Sequence, residues 1–409
     1  MFETSPGHLL VVNVYFTPNS FGGATIVAEN MASLLKSKHG WKITVLTTIM
    51  DPSILPYSLM RYESKDLSII AINLPSSLTY EEFYTNAKIR DMVSKVVDQV
   101  RPDIAHIHSI QTMGGGVLEA LEDLDIPIAV TVHDCWWICE RQFMIKKNNK
   151  YCYQEKIDLN ICARCVDDPQ KSLMRFDYLN ELLQRMDCLF FPSEFQMQLF
   201  LKNGYDSKRC FVNKNGISIP EDGYKKQSTA DETHKVRFGF AGGPGPIKGL
   251  DLIKETFSKL DRSDYELVLV DAAQNVNTTW AHDFNMDIAG TVTILPAYTQ
   301  DSIDDFFGNI DVLLFPSMWK ESFGLTVREA LARNVWVITS NGGGTVEDCI
   351  DGENSTIIPL ISDSQYLYEA VEGTFERDWV AYENPHRQAL QSVAVQATEL
   401  SDFLKQFTT

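Results

Sequence analysis

The chain has 409 residues, enough for two or three domains of ordinary size. Hydrophobic residues at 44% and charged residues at 22% are usual for a packed soluble protein and exclude a disordered chain, a collagen-like fibre and a small disulfide scaffold. Lysine plus arginine total 36 against 55 acids, a net charge of −19 that repels phosphate backbones, so no nucleic-acid partner is expected. A local basic site for an anionic small molecule stays compatible with that charge. No apolar run approaches the ~18 residues of a membrane-spanning helix. The stretch MFETSPGHLLVVNVYF has no basic region ahead of its apolar run and reads as a first strand rather than a signal peptide. Eight cysteines without an export signal point to reduced thiols or metal ligands, and to a cytoplasmic location.

Taken in chain order, short apolar runs alternate with amphipathic segments. Strands are predicted at 8–14, 42–48, 67–73, 103–108, 127–132 and 188–191, with helices at 23–38, 81–100, 114–124, 172–186 and 194–203. Near-continuous apolar strands between helices mean a parallel sheet covered on both faces. Residues 214–235 are polar and aperiodic and read as a linker. The rhythm then restarts, with strands near 236–241, 266–271, 291–295, 311–315 and 335–339 and helices near 249–260, 301–309, 324–333 and 364–375. The expected fold class is α/β, two doubly wound Rossmann-like domains. The first covers 1–215 with a cysteine-rich loop at 134–170, the second 216–385, and a final helix in 386–409 packs back toward the first. Such sheets bind ligands beyond the carboxyl ends of their strands, so a cleft between the halves is the expected site.

The densest chemistry lies in 311–333, DVLLFPSMWKESFGLTVREALAR. A buried strand ends at Phe315-Pro316-Ser317, a loop carries Glu321, a helix begins near Phe323-Gly324, and Glu329 completes an E-x7-E spacing. Unpaired N–H groups at a helix start favour an anion such as phosphate, and Gly324 lets it approach the backbone. Glu321 can accept hydrogen bonds from sugar hydroxyls, and Glu329 can chelate two vicinal hydroxyls such as those of a ribose. The plain alternative is a helix with acids in its first turns, complementing its dipole.

FPSMWKESFGLTVREALA resembles the donor-site signature of retaining family 4 glycosyltransferases, which have the GT-B fold, and the likeness extends over about residues 8–380. The resemblance implies that Glu321 contacts the transferred sugar and Glu329 the nucleotide ribose, with Phe323, Gly324 and Leu325 lining the donor site. In FGFAGGPGPIKGLDLI, 238–253, Lys248 matches the lysine of the family string G-R-x4-K-G, while Gly243 stands where the arginine is expected, so one of two diphosphate cations is missing. Backbone N–H groups, or another basic residue such as Arg237 or Arg328, are the available replacements. Gly22-Gly23 after the first strand matches the family's glycine pair near the donor phosphate. His133, in Thr131-Val132-His133-Asp134, matches a histidine that contacts the donor sugar, with Asp134 orienting it or the acceptor. His106 and His108 end the preceding strand, and His108 could reach the same region. Gly342, Gly343 and Gly344 fall where the family loop lines the donor near its base or phosphates.

Cys139, Cys152, Cys162 and Cys165 form C-x12-C-x9-C-x2-C, and four thiolates with one C-x2-C pair can enclose a structural zinc; four reduced thiols or an iron–sulfur cluster are the alternatives. Cys188, Cys210 and Cys349 read as packing residues, as do Trp136 and Trp137.

The resemblance implies retaining transfer of a sugar from a nucleotide-sugar donor to a hydroxyl of a glycan, lipid-linked or small-molecule acceptor, with peripheral membrane contact for a lipid-linked one. Glu321, His133 and Lys248 would carry the chemistry, with Gly22, Gly23 and Gly243 beside the donor. No Asp-x-Asp stands at a strand end, so no catalytic metal is expected. The rivals are a degenerate non-catalytic GT-B scaffold, favoured only by Gly243, and another GT-B sugar-nucleotide enzyme such as an epimerase or phosphorylase.

Overall fold

The computed structural model describes residues 5–221, 223–224, 226, 235–271, 273, 278–280, 288–360 and 363–408. The chain divides into two compact units. The first comprises Met1–Lys147, Tyr153–Gly216 and Val393–Thr409, and the second Asn148–Cys152 and Ile217–Ser392.

The first unit is built on eight strands: β1 (His8–Val12), β2 (Lys42–Ile49), β3 (Leu59–Ser64), β4 (Leu67–Asn73), β5 (Ile104–Ile107), β6 (Ile128–Thr131), β7 (Cys188–Phe191) and β8 (Cys210–Val212), in the order β3-β4-β2-β1-β5-β6-β7-β8. All pairs are parallel except β3 with β4. Every residue of β1 is buried, as a central strand covered on both faces requires. The order runs outward from β1 in both directions, so the switch point lies between β1 and β5, and there Asn13 ties the two strand-end loops together. Its Oδ1 accepts from the Ser109 backbone N–H at 2.9 Å and its Nδ2 donates to the Tyr15 carbonyl at 2.6 Å.

The hairpin strand β3 was not predicted. It is an edge strand in which no residue is buried, and its turn, Lys65-Asp66, takes φ of 49° and 58° without the glycine that usually marks such a turn. The predicted helix at 81–100 is a short 3-10 turn, Glu81–Phe83, followed by the helix Ala87–Val100, which Asn86 caps by accepting from the Ile89 N–H at 3.2 Å.

The second unit holds β9 (Val236–Phe240), β10 (Tyr265–Asp271), β11 (Thr291–Pro296), β12 (Val312–Phe315), β13 (Trp336–Ser340) and β14 (Ser355–Ile358), all parallel, in the order β11-β10-β9-β12-β13-β14. Alternate residues feed two cores. Leu267, Leu269 and Leu314 join Phe238, Phe257 and Trp336 on one face, while Val268, Val270 and Leu313 join Phe306, Phe307 and Val327 on the other. Each such side chain contributes roughly 1.5–3 kcal/mol by leaving water. The switch point here lies between β9 and β12.

The predicted linker is partly built into this unit. Lys226 is largely buried and its ammonium stands 3.3 Å from Asp311, while residues 227–234 of that stretch lie outside the described residues. The terminal helix Val393–Leu404 belongs to the first unit. Trp41 Nε1 donates to Ser401 Oγ at 2.9 Å, and Gln396 Oε1 accepts from the Gly216 N–H at 2.8 Å. Among the described residues no helix is long and apolar enough to cross a membrane.

Candidate active site

In the second unit the carboxyl ends of β9 and β12 carry the two predicted motifs side by side. The loop after β9 ends in a 3-10 turn, Pro246–Lys248, and Gly249 begins the helix Leu250–Ser258. Gly249 has φ +83°, and a Cβ there would stand 2.1 Å from the Pro316 carbonyl oxygen, so only glycine lets the two loops meet. The Met318 N–H donates to the Ile247 carbonyl at 2.8 Å and locks that contact.

This arrangement brings Lys248 and Glu321 together. Lys248 Nζ donates to Glu321 Oε1 at 2.9 Å, and Ser317 Oγ donates to the same oxygen at 2.6 Å. Glu321 is 8% exposed, so its carboxylate is held in place rather than solvated. The lysine ammonium stands over two aromatic rings, with Nζ 5.5 Å from the Trp319 ring centre and 6.0 Å from that of Phe315. The Glu321 carbonyl accepts from the Gly344 N–H at 2.9 Å, which seats the glycine loop after β13 against the motif. That loop continues into a 3-10 turn, Gly344–Asp348.

Gly324 caps the helix Leu325–Leu331 with φ +86°, and a Cβ there would lie 3.1 Å from Thr345 Oγ1. Phe323 is packed inside under the Arg328 guanidinium, at 3.7 Å from its ring centre, and Leu325 supplies the first helical N–H. Among the described residues, Glu329 is not joined to the Lys248–Glu321 pair by any hydrogen bond. It is buried, its Oε1 accepts from Gln300 Nε2 at 3.3 Å, and burial raises its pKa above the ordinary 4.5 against the lowering effects of Gln300 and Arg333.

Gly243 takes φ +73° with open space around its Cα, a left-handed conformation that an arginine would adopt only with strain. Neither suggested substitute cation is available. Arg237 is buried against Asp311, with Nε at 3.2 Å and Nη2 at 3.0 Å from its oxygens. Arg328 pairs with Asp348 and donates to the carbonyls of Phe323 and Gly344. Arg328 is thus a clamp on the loops beside Glu321, a role that sequence spacing alone does not reveal.

In the first unit, Gly22 starts the helix Gly22–His39 at φ +79° and Gly23 is exposed, with no side-chain cap on the helix. His133 lies just beyond β6, and its Nε2 is 2.9 Å from His108 Nδ1, the rings stacking with centres 5.1 Å apart. Burial lowers His133 to about 4, so it is neutral at pH 7. Asp134 does not orient it. Its carboxylate accepts from the Trp136 N–H at 2.8 Å, Gln142 Nε2 at 2.6 Å and Gln111 Nε2 at 3.3 Å, organising its own loop instead. Trp136 and Trp137 are buried, with the Arg175 guanidinium 5.0 Å from the Trp136 ring centre.

None of the eight cysteines forms a disulfide, and Cys188 and Cys210 are buried. Among the described residues, Cys139, Cys152, Cys162 and Cys165 included, no group of three or more His, Cys, Asp or Glu side chains is arranged to hold a metal ion.

Residues 223–387 match the family model described as glycosyl transferases group 1, and residues 21–220 that of glycosyltransferase family 4. A GDP-mannose-dependent alpha-mannosyltransferase of Corynebacterium glutamicum is 21% identical over 72% of this chain and 63% of its own. The lipopolysaccharide 1,2-N-acetylglucosaminetransferase of Salmonella typhimurium is 29% identical over 42% of this chain and 49% of its own. The match thus spans less than two thirds of either relative's length. Among solved structures, the sucrose-phosphate synthase of Thermosynechococcus elongatus is similar at a TM-score of 0.70 and 16% identity, with 98% of each chain covered. An Anabaena protein crystallised with UDP and glucose is similar at 0.68 and 14%, covering 98% of this chain and 100% of its own. These likenesses show that the fold is GT-B.

Proposed function

We infer that this GT-B chain, whose two halves match glycosyltransferase domain models, is a nucleotide-sugar-dependent glycosyltransferase that acts with retention at the anomeric carbon. The observation that carries the reading is the Lys248–Glu321–Ser317 cluster at the β9/β12 switch point, where a doubly wound sheet binds its ligand. Lys248 supplies the cation for the leaving diphosphate, Glu321 a fixed acceptor for hydroxyls of the transferred sugar, and Glu329 the carboxylate for the ribose. His133, from the first unit, is assigned to the sugar by the family resemblance.

In the step proposed, the bond between the anomeric carbon and the diphosphate oxygen breaks while a bond to the acceptor hydroxyl oxygen forms on the same face. The acceptor proton passes to the departing phosphate. Lys248 and the N–H groups opening at Gly324 stabilise the charge that develops, an electrostatic contribution that is usually the largest in such chemistry. With Gly243 in place of arginine, Lys248 is the principal side-chain cation of this set. Glycan and lipid-linked hydroxyls are the acceptor classes that fit the reading.

The test is turnover with UDP-, GDP- and ADP-sugars, followed by release of nucleoside diphosphate and by anomeric proton NMR of the glycosylated product. Retained configuration supports the reading. Inversion would overturn the mechanism, and no nucleotide release from any donor, with or without acceptors, would favour the scaffold alternative.

A further inference from the structure

Strands β5 and β6 end in three histidines that touch. His106 Nε2 is 2.8 Å from Thr131 Oγ1, His108 Nδ1 is 2.9 Å from His133 Nε2, and the His106 and His108 ring centres are 4.2 Å apart. His106 and His108 are 1% and 2% exposed, whereas His133 is only partly buried. Two ring nitrogens, His106 Nδ1 and His108 Nε2, are buried with no hydrogen-bond partner among the described residues; His133 Nδ1 is not one of these.

A neutral imidazole has one N–H and one bare nitrogen, so the orphaned nitrogens decide where the protons sit. Suppose His133 Nε2 carried the proton and donated to His108. His108 would then hold its own proton on Nε2, a buried donor with nothing to accept it, the rarer and more costly of the two orphan types. If His108 Nδ1 carries the proton and donates to His133, the orphan Nε2 is only a bare lone pair. The same reasoning puts the His106 proton on Nε2, donating to Thr131 Oγ1, and leaves Nδ1 bare. The two assignments are mutually consistent.

We propose that His108 is a positioning residue: its Nδ1–H donates to His133 Nε2 and fixes the proton of His133 on Nδ1. His133 then presents an N–H donor, suited to a sugar oxygen, and cannot act as a base through that nitrogen. Burial, which keeps both rings neutral at pH 7, supports a single tautomer rather than a shared charge. That the donor group faces the transferred sugar rests on the function proposed above; the tautomer itself does not.

The experiment is long-range proton–nitrogen NMR on the full chain labelled with 15N-histidine, ligand-free at pH 7. His133 is identified by the signals that His133→Gln removes. Wild-type protein is expected to show a protonated Nδ1 and a bare Nε2 for His133. His108→Asn, whose amide N–H falls near the place of Nδ1, should keep that pattern and keep kcat/KM for UDP-glucose or GDP-mannose turnover within about fivefold. His108→Leu should release His133 to the Nε2-protonated form and lower kcat/KM by about tenfold or more, the scale of one lost hydrogen bond. A protonated Nε2 on His133 in the wild type would overturn the proposal, as would an unchanged His133 pattern in folded His108→Leu. Wild-type kcat/KM in His133→Gln, beside the expected wild-type spectrum, would overturn the sugar contact alone and leave the tautomer standing.

Discussion

Lys248 and Glu321, 73 positions apart, meet at 2.9 Å because Gly249 lets the loop after β9 lie against Pro316 at the end of β12. The pair joins the cation proposed for the diphosphate to the carboxylate proposed for the sugar, so a change at either affects the other. Lys248→Ala should lower kcat by about 100-fold or more, the scale seen when one preorganised charge-stabilising group is lost. It should also leave Glu321 with Ser317 as a remaining donor, so the protein stays folded. Steady-state kinetics showing a loss under about tenfold would mean that Lys248 is not the principal cation.

Two glycines of the same loop should respond in opposite degree. Gly249→Ala places a Cβ 2.1 Å from a backbone oxygen at φ +83°, so the loops must separate, and thermal melts should show severe destabilisation. Gly243→Ala meets open space at φ +73° and should cost only about 1–2 kcal/mol, the left-handed penalty. Equal melting temperatures for the two variants would contradict the geometry.

Glu329 should trade stability for binding. Its folded pKa is raised, chiefly by burial, so the folded state holds the proton more tightly than the unfolded one. The associated stability is complete below the ordinary value of 4.5 and is lost as pH rises through the folded value. Glu329→Gln removes the buried charge, so its melting-temperature advantage over wild type should grow from pH 4 to pH 7. An advantage that shrinks with pH would reverse the assigned sign.

The histidine stack should make the first unit acid-sensitive. Burial lowers His106 to about 3 and His108 well below the ordinary 6.5, so the unfolded chain binds protons that the folded chain refuses. Stability should fall as pH drops below 6.5, by up to about 1.4 kcal/mol per pH unit for each imidazole. Denaturant midpoints measured from pH 7 to pH 4 should show this slope, and His106→Gln should flatten it. An unchanged slope in that variant would exclude His106 as a source.

Much of this architecture is legible locally. The apolar runs locate five of the six strands of the second sheet, β9 to β13, most readily the fully buried β9, β12 and β13, because buried parallel strands are continuous in hydrophobicity. The E-x7-E and K-G strings, together with their family resemblance, pick out Glu321, Glu329 and Lys248. What stays hidden depends on contacts distant in sequence. Asn13 reaches Ser109, and His108 meets His133 only because β5 and β6 are neighbours. Arg328 looks like a spare cation in sequence because nothing there shows Asp348 and the Gly344 carbonyl closing around it.

The central claim is that the second unit binds a nucleoside diphosphate sugar through Glu329 and Lys248, and a thermal-shift titration with UDP-, GDP- and ADP-sugars tests it most directly. A ligand at 100 times its dissociation constant stabilises the folded state by about 2.7 kcal/mol, a readable rise in melting temperature. One base class is expected to raise the wild-type melting temperature. Glu329→Gln, though more stable alone at pH 7, should lose most of that rise. No shift with any of the three donors, or the same shift in both proteins, would contradict the account.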